Sequence, residues 1–571
     1  MAAFGAQVSL LNSFLTEIVD SIRSKNGQRI TDLIQLDFDS LSPERQKPYS
    51  ELNQELNRAH PPERDGDLVA RCKQTVSPDE FGSFSTSFSE CIIQYFRYLR
   101  DFTSADNQAK ATKIRQLTSQ CVIALGDTKY GIIMIPIVLS FSRTLAAIAT
   151  NLDRNPSLIR NPSLATAQDT EGAPGKVSFV EDAANVLREA FIKCLAGSPG
   201  VPRTSRPSPE DKRVGIYLTA NSCLKLLLQC HRLRNAQQML SSIDVQSPPL
   251  SYYPAAQRVT FLYYLGRFHF ANNHFRRAQK VLQTAYEQCH RQAIKHRRLI
   301  LIYLIAANLC LGRFPSSTLL SRPESRDIGP RFTPLCKIIQ TGNLGLFHQY
   351  LDLDSESGEW FLKRSILFQL LNRCEILVWR SLIRKTFLLV GYMGEEKKIP
   401  FLRLSYVHRA AVWALGRQRA ISTANGFGSH AALADEKKYV DPEFADMDAA
   451  INETGFDPET GVYIDEYIGQ YVPYSSEGEE SPAMNEVESA VLSLIQQGLL
   501  RGFALHTNPR FAIPGSQKAG GPMKAGFPEV WSVTASKDGG EPVPGWVEEG
   551  NLDAGGGGRV VRIFGARPAG A

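Results

Sequence analysis

The sequence contains no apolar run long enough to cross a membrane. Its two longest candidates, residues 130–141 and 299–311, are bounded by arginine or glycine and are shorter than the roughly 18–20 residues that a spanning helix needs. The N-terminus lacks the basic region followed by an apolar stretch that a secretory signal requires. We therefore predict a protein of the cytosol or the nucleus.

The sequence also lacks the cysteine spacing of disulfide-rich or zinc-binding proteins. The ten cysteines are dispersed, the last is Cys374, and none forms a C-x2-C pair, so neither a disulfide framework nor a zinc clip is indicated. Cys230 precedes His231 and Cys289 precedes His290, but successive helical side chains point about 100° apart, and neither pair alone makes a metal site. We expect buried thiols in a reducing compartment.

The motifs of common catalytic sites are also missing. There is no H-E-x-x-H and no His-x-His, and residues 172–178 lack both the G-x4-G-K-[ST] spacing of a phosphate loop and a preceding strand. We predict no catalytic residues, no metal site and no cofactor. An enzyme is the remote alternative, which a metal or nucleotide in the purified protein would support.

What is present describes a globular chain of several domains. The 571 residues are 43% hydrophobic and carry 64 Lys and Arg against 58 Asp and Glu, a net charge of +6. This length allows about two to four domains. The 42 glycines and 32 prolines are unevenly spread, which indicates local linkers between packed parts.

Residues 1–150 are predicted to be helical. Three sets of apolar residues recur at steps of three and four, which places each set on one face of a helix: Leu11, Phe14, Leu15, Ile18 and Ile22; Ile92, Phe96, Leu99 and Phe102; Ile114, Leu117 and Val122. A further helix is predicted at 130–147, kinked at Pro136 because proline lacks the N–H and clashes with the preceding turn. Residues 151–213 are rich in linker residues and hold one short helix at 180–195.

Residues 214–390 keep the helical period with almost no strand alternation. Gly266 and Ala278 stand among aromatic residues at the spacing of a tetratricopeptide-like helical hairpin, where small side chains let two helices approach closely. A second Leu-Gly-Arg-Phe at 311–314 precedes Pro315 and is expected to end a helix rather than to repeat the hairpin. Successive helix pairs predict a right-handed solenoid.

Residues 391–514 are predicted to form a winged helix. A turn at 399–401 precedes a helix at 404–415, a second helix covers 484–498, and strands at 500–505 and 510–513 make a hairpin. An insert at 426–482, with fourteen acidic residues against two lysines, interrupts this part. Residues 515–571 are glycine-rich and predict a disordered tail. The predicted fold is thus all-α with a small β hairpin, a helical-hairpin solenoid that ends in a winged helix.

This architecture and several sequence blocks resemble the PCI-domain family. The blocks YYLGRFHFAN at 263–272, FRRA at 275–278, RRLILIYL at 297–304 and LGRFPS at 311–316 are similar to one subfamily. It contains the signalosome-associated subunit twelve and the PCI subunit of the TREX-two messenger-RNA export complex. The similarity covers roughly residues 215–513, and the acidic insert and glycine-rich tail depart from the family pattern.

The resemblance implies a non-catalytic nuclear scaffold, at nuclear pores and partly in the cytoplasm. It implies pairing with a large helical subunit of the Sac-three or Thp-three type and with a small acidic protein of the Sem-one, or Dss-one, type. The winged helix would bind RNA and double-stranded DNA and couple transcription elongation to messenger-RNA export. The alternative is a signalosome-associated or splicing-linked PCI scaffold that binds no nucleic acid.

Basic residues cluster independently of this resemblance. Nine basic residues and one acidic residue fall within 258–298, and twelve against four within 359–419, and such a field attracts polyanions unless partner carboxylates neutralise it. Our nucleic-acid candidates lie around the predicted turn, helix and wing: Lys397, Lys398, Arg403, Arg409, Arg501 and Arg510. Phosphate contacts carry no sequence information, so we expect weak sequence preference.

Three further cations are predicted to share one helical face. Arg291, Lys295 and Arg298 follow at steps of four and three, and they suit either RNA or an acidic partner peptide. The aromatic residues of 252–270 and the tryptophans Trp360, Trp379 and Trp413 are expected in the core. The insert's carboxylates either fold back on the basic winged helix and compete with RNA, or belong to an unrelated tolerated loop.

Overall fold

The computed structural model describes residues 9–38, 42–102, 107–154, 179–197, 205–394, 398–425, 456–457, 462–463 and 484–536. These residues divide into two compact units. The first contains the described residues up to His269 together with 280–293, and the second contains Phe270–Gln279 and the described residues from Ile294 onwards. The predicted domain boundaries remain predictions.

The first unit is helical. Its helices, the last two of which continue into the second unit, are α1 (Leu10–Arg23), α2 (Gly27–Leu33), α3 (Pro43–Ala59), α4 (Asp65–Thr75), α5 (Pro78–Phe81), α6 (Ser83–Asp101), α7 (Asn107–Leu125), α8 (Met134–Arg154), α9 (Phe179–Ala196), α10 (Ile216–Gln229), α11 (Leu233–Gln246), α12 (Ala255–Ala271) and α13 (Phe275–Gln288). From α6 to α10 each helix packs on the next one along the chain. The predicted stripe of α1 is buried except for Phe14, whose ring stacks on Tyr95.

The predicted kink at Pro136 is not observed as such. A 3-10 turn at Gly131–Ile133 leads into α8, which begins at Met134. Pro136 therefore lies in the first turn of α8, where an N–H has no helical acceptor and its loss costs little. The prediction of one kinked helix from residue 130 is wrong for this reason.

Helix α8 is more apolar than the sequence analysis indicated. By length and composition alone, Gly131–Leu152 could cross a membrane. Half of its apolar window is buried inside the fold, where α8 packs on α7 and α9. Its residues Ile137, Val138 and Phe141 are completely buried. We take it as a core helix.

The helical hairpin around Gly266 has the predicted close approach. Gly266 on α12 is buried, and a Cβ built there would lie 2.5 Å from Cγ of Leu282 on α13. Only a residue without a side chain leaves room for that leucine. The second Leu-Gly-Arg-Phe ends a helix as expected, because the helix stops at Cys310 and Gly312 adopts a left-handed φ of +78°.

The second unit is helical with one small sheet. Its elements are α14 (Ile294–Cys310), α15 (Ser317–Leu320), α16 (Gly329–Thr341), α17 (Leu344–Tyr350), α18 (Glu356–Leu362), α19 (Leu367–Val390), β1 (Phe401–Arg403), α20 (Leu404–Asn425), β2 (Phe456–Asp457), β3 (Val462–Tyr463), α21 (Met484–Gln496), β4 (Phe503–Leu505), β5 (Arg510–Ala512), α22 (Pro522–Gly526) and α23 (Val530–Ser536). Helices α14, α16 and α17 pack against the long α19, whose buried face includes Leu377, Val378 and Ile383.

The predicted hairpin is one part of a three-stranded antiparallel sheet, in the order β1-β5-β4. Helices α19, α20 and α21 contact one another, which completes a winged helix. The predicted fold, a helical array ending in a winged helix, is confirmed. Strand β1 was missed because its three residues show no alternation and no short turn joins it to its partner β5, whereas a turn marks the β4–β5 hairpin.

The predicted disordered tail from Gly515 is wrong for residues 515–536. Two short helices, α22 and α23, follow the sheet, and Phe527 between them is buried against Phe387 and Phe511. The five large apolar residues of this short segment show no helical period in the sequence, yet Phe527 among them anchors it. The predicted tail beyond 536 and most of the predicted acidic insert lie outside the described residues, apart from the strand pair β2 and β3.

Candidate nucleic-acid interface

The winged-helix sheet has one buried face and one outer face. Leu402 on β1 lies opposite Phe511 on β5, and both are fully buried. Because side chains alternate along a strand, their neighbours point the other way. The outer face therefore carries two rows across β1, β5 and β4: Phe401, Ala512 and Phe503 in one row, and Arg403, Arg510 and Leu505 in the other.

Cations occupy the middle of this outer face. Arg403 pairs in register with Arg510, and the three strands contain no acidic residue. Arg510 is held in place, because its Nε donates to Asn508 Oδ1 at 3.0 Å and its guanidinium lies 4.8 Å above the ring of Phe401. A fixed cation loses little conformational entropy when it binds an anion.

Two further candidates lie beside the sheet. Lys398 is exposed three residues before β1, and Arg501 is exposed two residues before β4, where its backbone N–H donates to the carbonyl of Gly526 at 2.9 Å. Among the described residues, no ion pair to Arg501 is found. The structure thus brings Lys398, Arg403, Arg501 and Arg510 around one small sheet.

The remaining two candidates are placed differently. Arg409 is exposed in the second turn of α20, outside the sheet. Lys397 lies outside the described residues. Arg403 was predicted on the helix after the turn and is found instead on β1, one residue before that helix begins, because the missed strand takes up the end of the turn.

Several other cations of the basic clusters have structural roles. Arg380 on α19 donates to the carbonyls of Leu499 and Pro528, and burial together with the neighbouring Arg384 lowers its pKa to about 10. Arg373, about two turns before Arg380 on α19, donates to the carbonyl of Cys310 and to Gln497 Oε1. These arginines hold the winged helix together and are not available as a phosphate surface.

The predicted face of Arg291, Lys295 and Arg298 is not formed as one helical face. Helix α14 begins at Ile294, so Arg291 precedes it in a turn and belongs to the first unit. Arg298 is bound to Asp327 and donates to the carbonyl of Glu324 at 3.3 Å, and only Lys295 stands exposed on the helix. The prediction assumed one continuous helix from Arg291 to Arg298, whereas the helix begins between Arg291 and Lys295. Helix ends are poorly defined by a sequence pattern.

The core assignments are confirmed in most places. Phe261, Phe268, Phe270 and Trp379 are buried, and nine of the ten cysteines are buried. Burial raises the pKa of the Cys72, Cys194, Cys223 and Cys336 thiols to about 12, which makes them poor nucleophiles at neutral pH. Tyr252 and Trp413 are exposed, so their assignment to the core is wrong.

Within the described part of the chain, no group of three or more His, Cys, Asp or Glu residues is arranged to hold a metal ion. The outer face of the winged-helix sheet presents the guanidinium groups of Arg403 and Arg510, of which Arg510 is held in place, with exposed apolar side chains beside them.

Sequence reasoning missed the apolar part of this site. Phe503 and Leu505 on β4 point outward, and 42% and 44% of their surfaces are exposed. The alternation Phe503-Ala504-Leu505 in a hairpin would have placed both on one face. Which face is buried depends on β1, which the sequence did not reveal.

The comparisons with known proteins agree with the architecture. No protein-family model matches the chain. The chain is 28% identical over 401 residues to a PCI domain-containing protein of Schizosaccharomyces pombe, covering 70% of this chain and 83% of that protein. It is 26% identical over 384 residues to PCI domain-containing protein 2 of Xenopus laevis, covering 66% of this chain and 82% of that protein. A CSN12 homolog of Neurospora crassa is 28% identical to the chain over 362 residues, covering 59% of this chain and 76% of that protein. The resemblance to the PCI-domain family, in the subfamily of these proteins, is confirmed, and these relatives support a PCI scaffold subunit.

Proposed function

We propose that the protein is a nuclear adaptor of a transcription-coupled messenger-RNA export complex. In this role it scaffolds a large helical subunit and a small acidic protein, and its winged helix binds RNA and DNA. The observation that carries the nucleic-acid part is the grouping of Lys398, Arg403, Arg501 and Arg510 around one sheet that has no acidic residue. Grouped cations release counterions from a phosphate backbone, which drives binding without reading sequence.

Electrophoretic mobility of labelled RNA and duplex DNA with the purified chain tests this part. We expect retardation that weakens steeply as salt rises, and similar affinity for unrelated sequences of one length. Replacing Arg403, Arg501 and Arg510 together by glutamine should abolish it. Replacing Lys337 on α16, an exposed cation outside the winged helix, is the matched control. Unchanged mobility of both probes with the wild-type chain would contradict nucleic-acid binding.

The second candidate function is a signalosome-associated scaffold without nucleic-acid binding. It is supported by the relatives that carry the name CSN12 homolog. Affinity purification of the tagged chain from its own cells, followed by mass spectrometry, separates the two. Recovery of a Sac-three-like subunit with the small acidic protein would support the export complex, and recovery of signalosome subunits or a Thp-three-like subunit alone would support the alternative.

A further inference from the structure

The outer face of the winged-helix sheet combines one exposed ring, Phe503, with the cations Arg403 and Arg510, of which Arg510 is held by Asn508 and Phe401. Phe503 lies on β4, the edge strand, in the row that also contains Phe401, and Leu505 lies beside Arg510 in the second row. Exposed alternate positions of a half-buried sheet are normally polar. Here both outward positions of β4 are large and apolar, so this face has a surface that favours an apolar, flat partner.

Arg510 lies one strand away from these apolar side chains, and Arg403 lies two strands away. Adjacent strands of a sheet are about 4.8 Å apart, so Arg510 on β5 is a direct neighbour of Leu505 and a diagonal neighbour of Phe503. A ligand on this face can therefore place a planar apolar group on Phe503 while an attached anion reaches Arg510 or Arg403. An unpaired nucleotide has both groups, a base and a phosphate.

A double helix does not suit this arrangement. Its bases are stacked on each other and paired, so only phosphates and groove edges would reach the sheet, and Phe503 and Leu505 would meet the polar backbone. A single strand can turn bases towards aromatic side chains while its phosphates stay on cations, as sequence-tolerant single-strand sites do.

We infer that the outer face of the β1-β5-β4 sheet binds single-stranded nucleic acid, with a base stacked on Phe503 and the adjoining phosphates on Arg403 and Arg510. This inference rests on the proposed function, because it requires that the winged helix bind nucleic acid, and it names the strandedness and the contacts. Arg501, exposed two residues before β4, adds a cation near the beginning of the edge strand.

Fluorescence anisotropy with the full chain and two labelled probes tests the inference. One probe is an oligouridine of about fifteen nucleotides, within the usual site size, and the other is a blunt DNA duplex of equal length. We expect the wild-type chain to prefer the single strand. Phe503→Ala should weaken the single-strand affinity about tenfold, the effect of losing one stacked base, and leave the duplex affinity unchanged. Phe503→Trp, which keeps a stacking surface, should restore the single-strand affinity.

The matched control is Phe368→Ala, which removes another exposed phenylalanine, on α19 and outside the sheet. It should leave both affinities unchanged. If Phe503→Ala weakens neither probe, or weakens both equally, the inference is overturned while nucleic-acid binding by the winged helix stands, and a protein partner becomes the better occupant of this face. If the wild-type chain binds neither probe, the proposed nucleic-acid function fails together with the inference.

Discussion

Arg403 on β1 lies directly opposite Arg510 on β5, and both side chains stand on the outer face of the winged-helix sheet. The flanking backbone bonds, from Leu404 N–H to the carbonyl of Pro509 and from Ile513 N–H to the carbonyl of Pro400, are both 2.9 Å long. They make Arg403 and Arg510 a non-hydrogen-bonded pair, in which opposing side chains lie closest. Like charges at such positions destabilise a sheet, so this pair is a cost that an anionic ligand would remove.

Replacing either arginine by glutamine should therefore separate stability from binding. We expect Arg403→Gln and Arg510→Gln to stabilise the fold slightly, by up to about 1 kcal/mol, because the like-charge opposition is gone. The same variants should bind oligouridine more weakly, and the slope of log affinity against log salt should fall by about 0.7 for each lost phosphate contact. Denaturant melts and salt titrations measure the two effects. Loss of stability with an unchanged salt slope would show that the arginines are structural.

Arg297 and Glu324 provide a second test of which cations are structural. Arg297 Nε donates to Glu324 Oε1 at 3.1 Å, and both side chains are about nine-tenths buried. We expect Glu324→Gln to lower the free energy of unfolding by about 3–5 kcal/mol, since it leaves a buried guanidinium without its counter-charge.

Urea melts of the purified variants measure this loss. The matched control is Glu359→Gln, which breaks the exposed pair with Lys363 and should cost less than about 1 kcal/mol. An equally small effect of both substitutions would mean that the Arg297 pair contributes no more than a surface pair, and would contradict a structural role for Arg297.

The contrast between Arg403 and Arg297 shows how far the sequence could go. Periodicity was sufficient for the long helices, because α1, α6 and α19 each bury a stripe that repeats over many residues. It also located the wing and the cations near it. It could not tell which cations point to solvent, since Arg297, Arg373 and Arg380 have the same local sequence character as Arg403 and Arg409. Their partners, such as Glu324 and Leu499, are distant in the sequence.

Short elements were missed for a related physical reason. Strand β1 has three residues and is defined by its pairing with β5, more than a hundred residues later. The helices of 522–536 are likewise ordered by contacts with distant residues rather than by helical propensity, because isolated helices of this length are unstable. The outer face of the sheet depends on β1, so the apolar half of the candidate site could not be predicted.

Gly266 supports a prediction about the helical hairpin. Its Cβ position lies 2.5 Å from Cγ of the fully buried Leu282, so Gly266→Ala forces that leucine out of place. We expect a loss of about 1–3 kcal/mol, the usual cost of overpacking. In the double variant Gly266→Ala with Leu282→Ala the overlap is gone. In urea melts, the loss of stability of this double variant should therefore be smaller than the sum of the losses of the two single variants.

The control for this prediction is Gly329→Ala. A Cβ at Gly329 meets no atom within 4 Å, so this substitution should leave stability unchanged within about 0.5 kcal/mol. Strictly additive effects of Gly266→Ala and Leu282→Ala would contradict a steric cause.

The last prediction concerns Trp531, which fixes the segment 522–536 that follows the sheet. Two guanidinium groups contact its ring, with Arg276 Cζ at 4.7 Å and Arg313 Cζ at 5.0 Å from the ring centroid. The neighbouring Val530 fills the space over Gly312, where a Cβ would lie 2.2 Å from Val530 Cγ1. Thr534 Oγ1 adds a hydrogen bond to the carbonyl of Leu311 at 3.3 Å.

We expect Trp531→Ala to lower the free energy of unfolding by about 2–3 kcal/mol, because it removes a half-buried aromatic ring together with two cation–π contacts. Trp531→Phe keeps an aromatic ring in contact with the two arginines and should lose about half as much. Ser532→Ala, at an exposed neighbouring position, is the control and should have no measurable effect. Because Phe527 of the same segment packs on Phe511 beneath the outer face, Trp531→Ala should also weaken oligouridine binding, whereas Ser532→Ala should not. Stability and binding unchanged by Trp531→Ala would mean that this segment rests on the fold without supporting it.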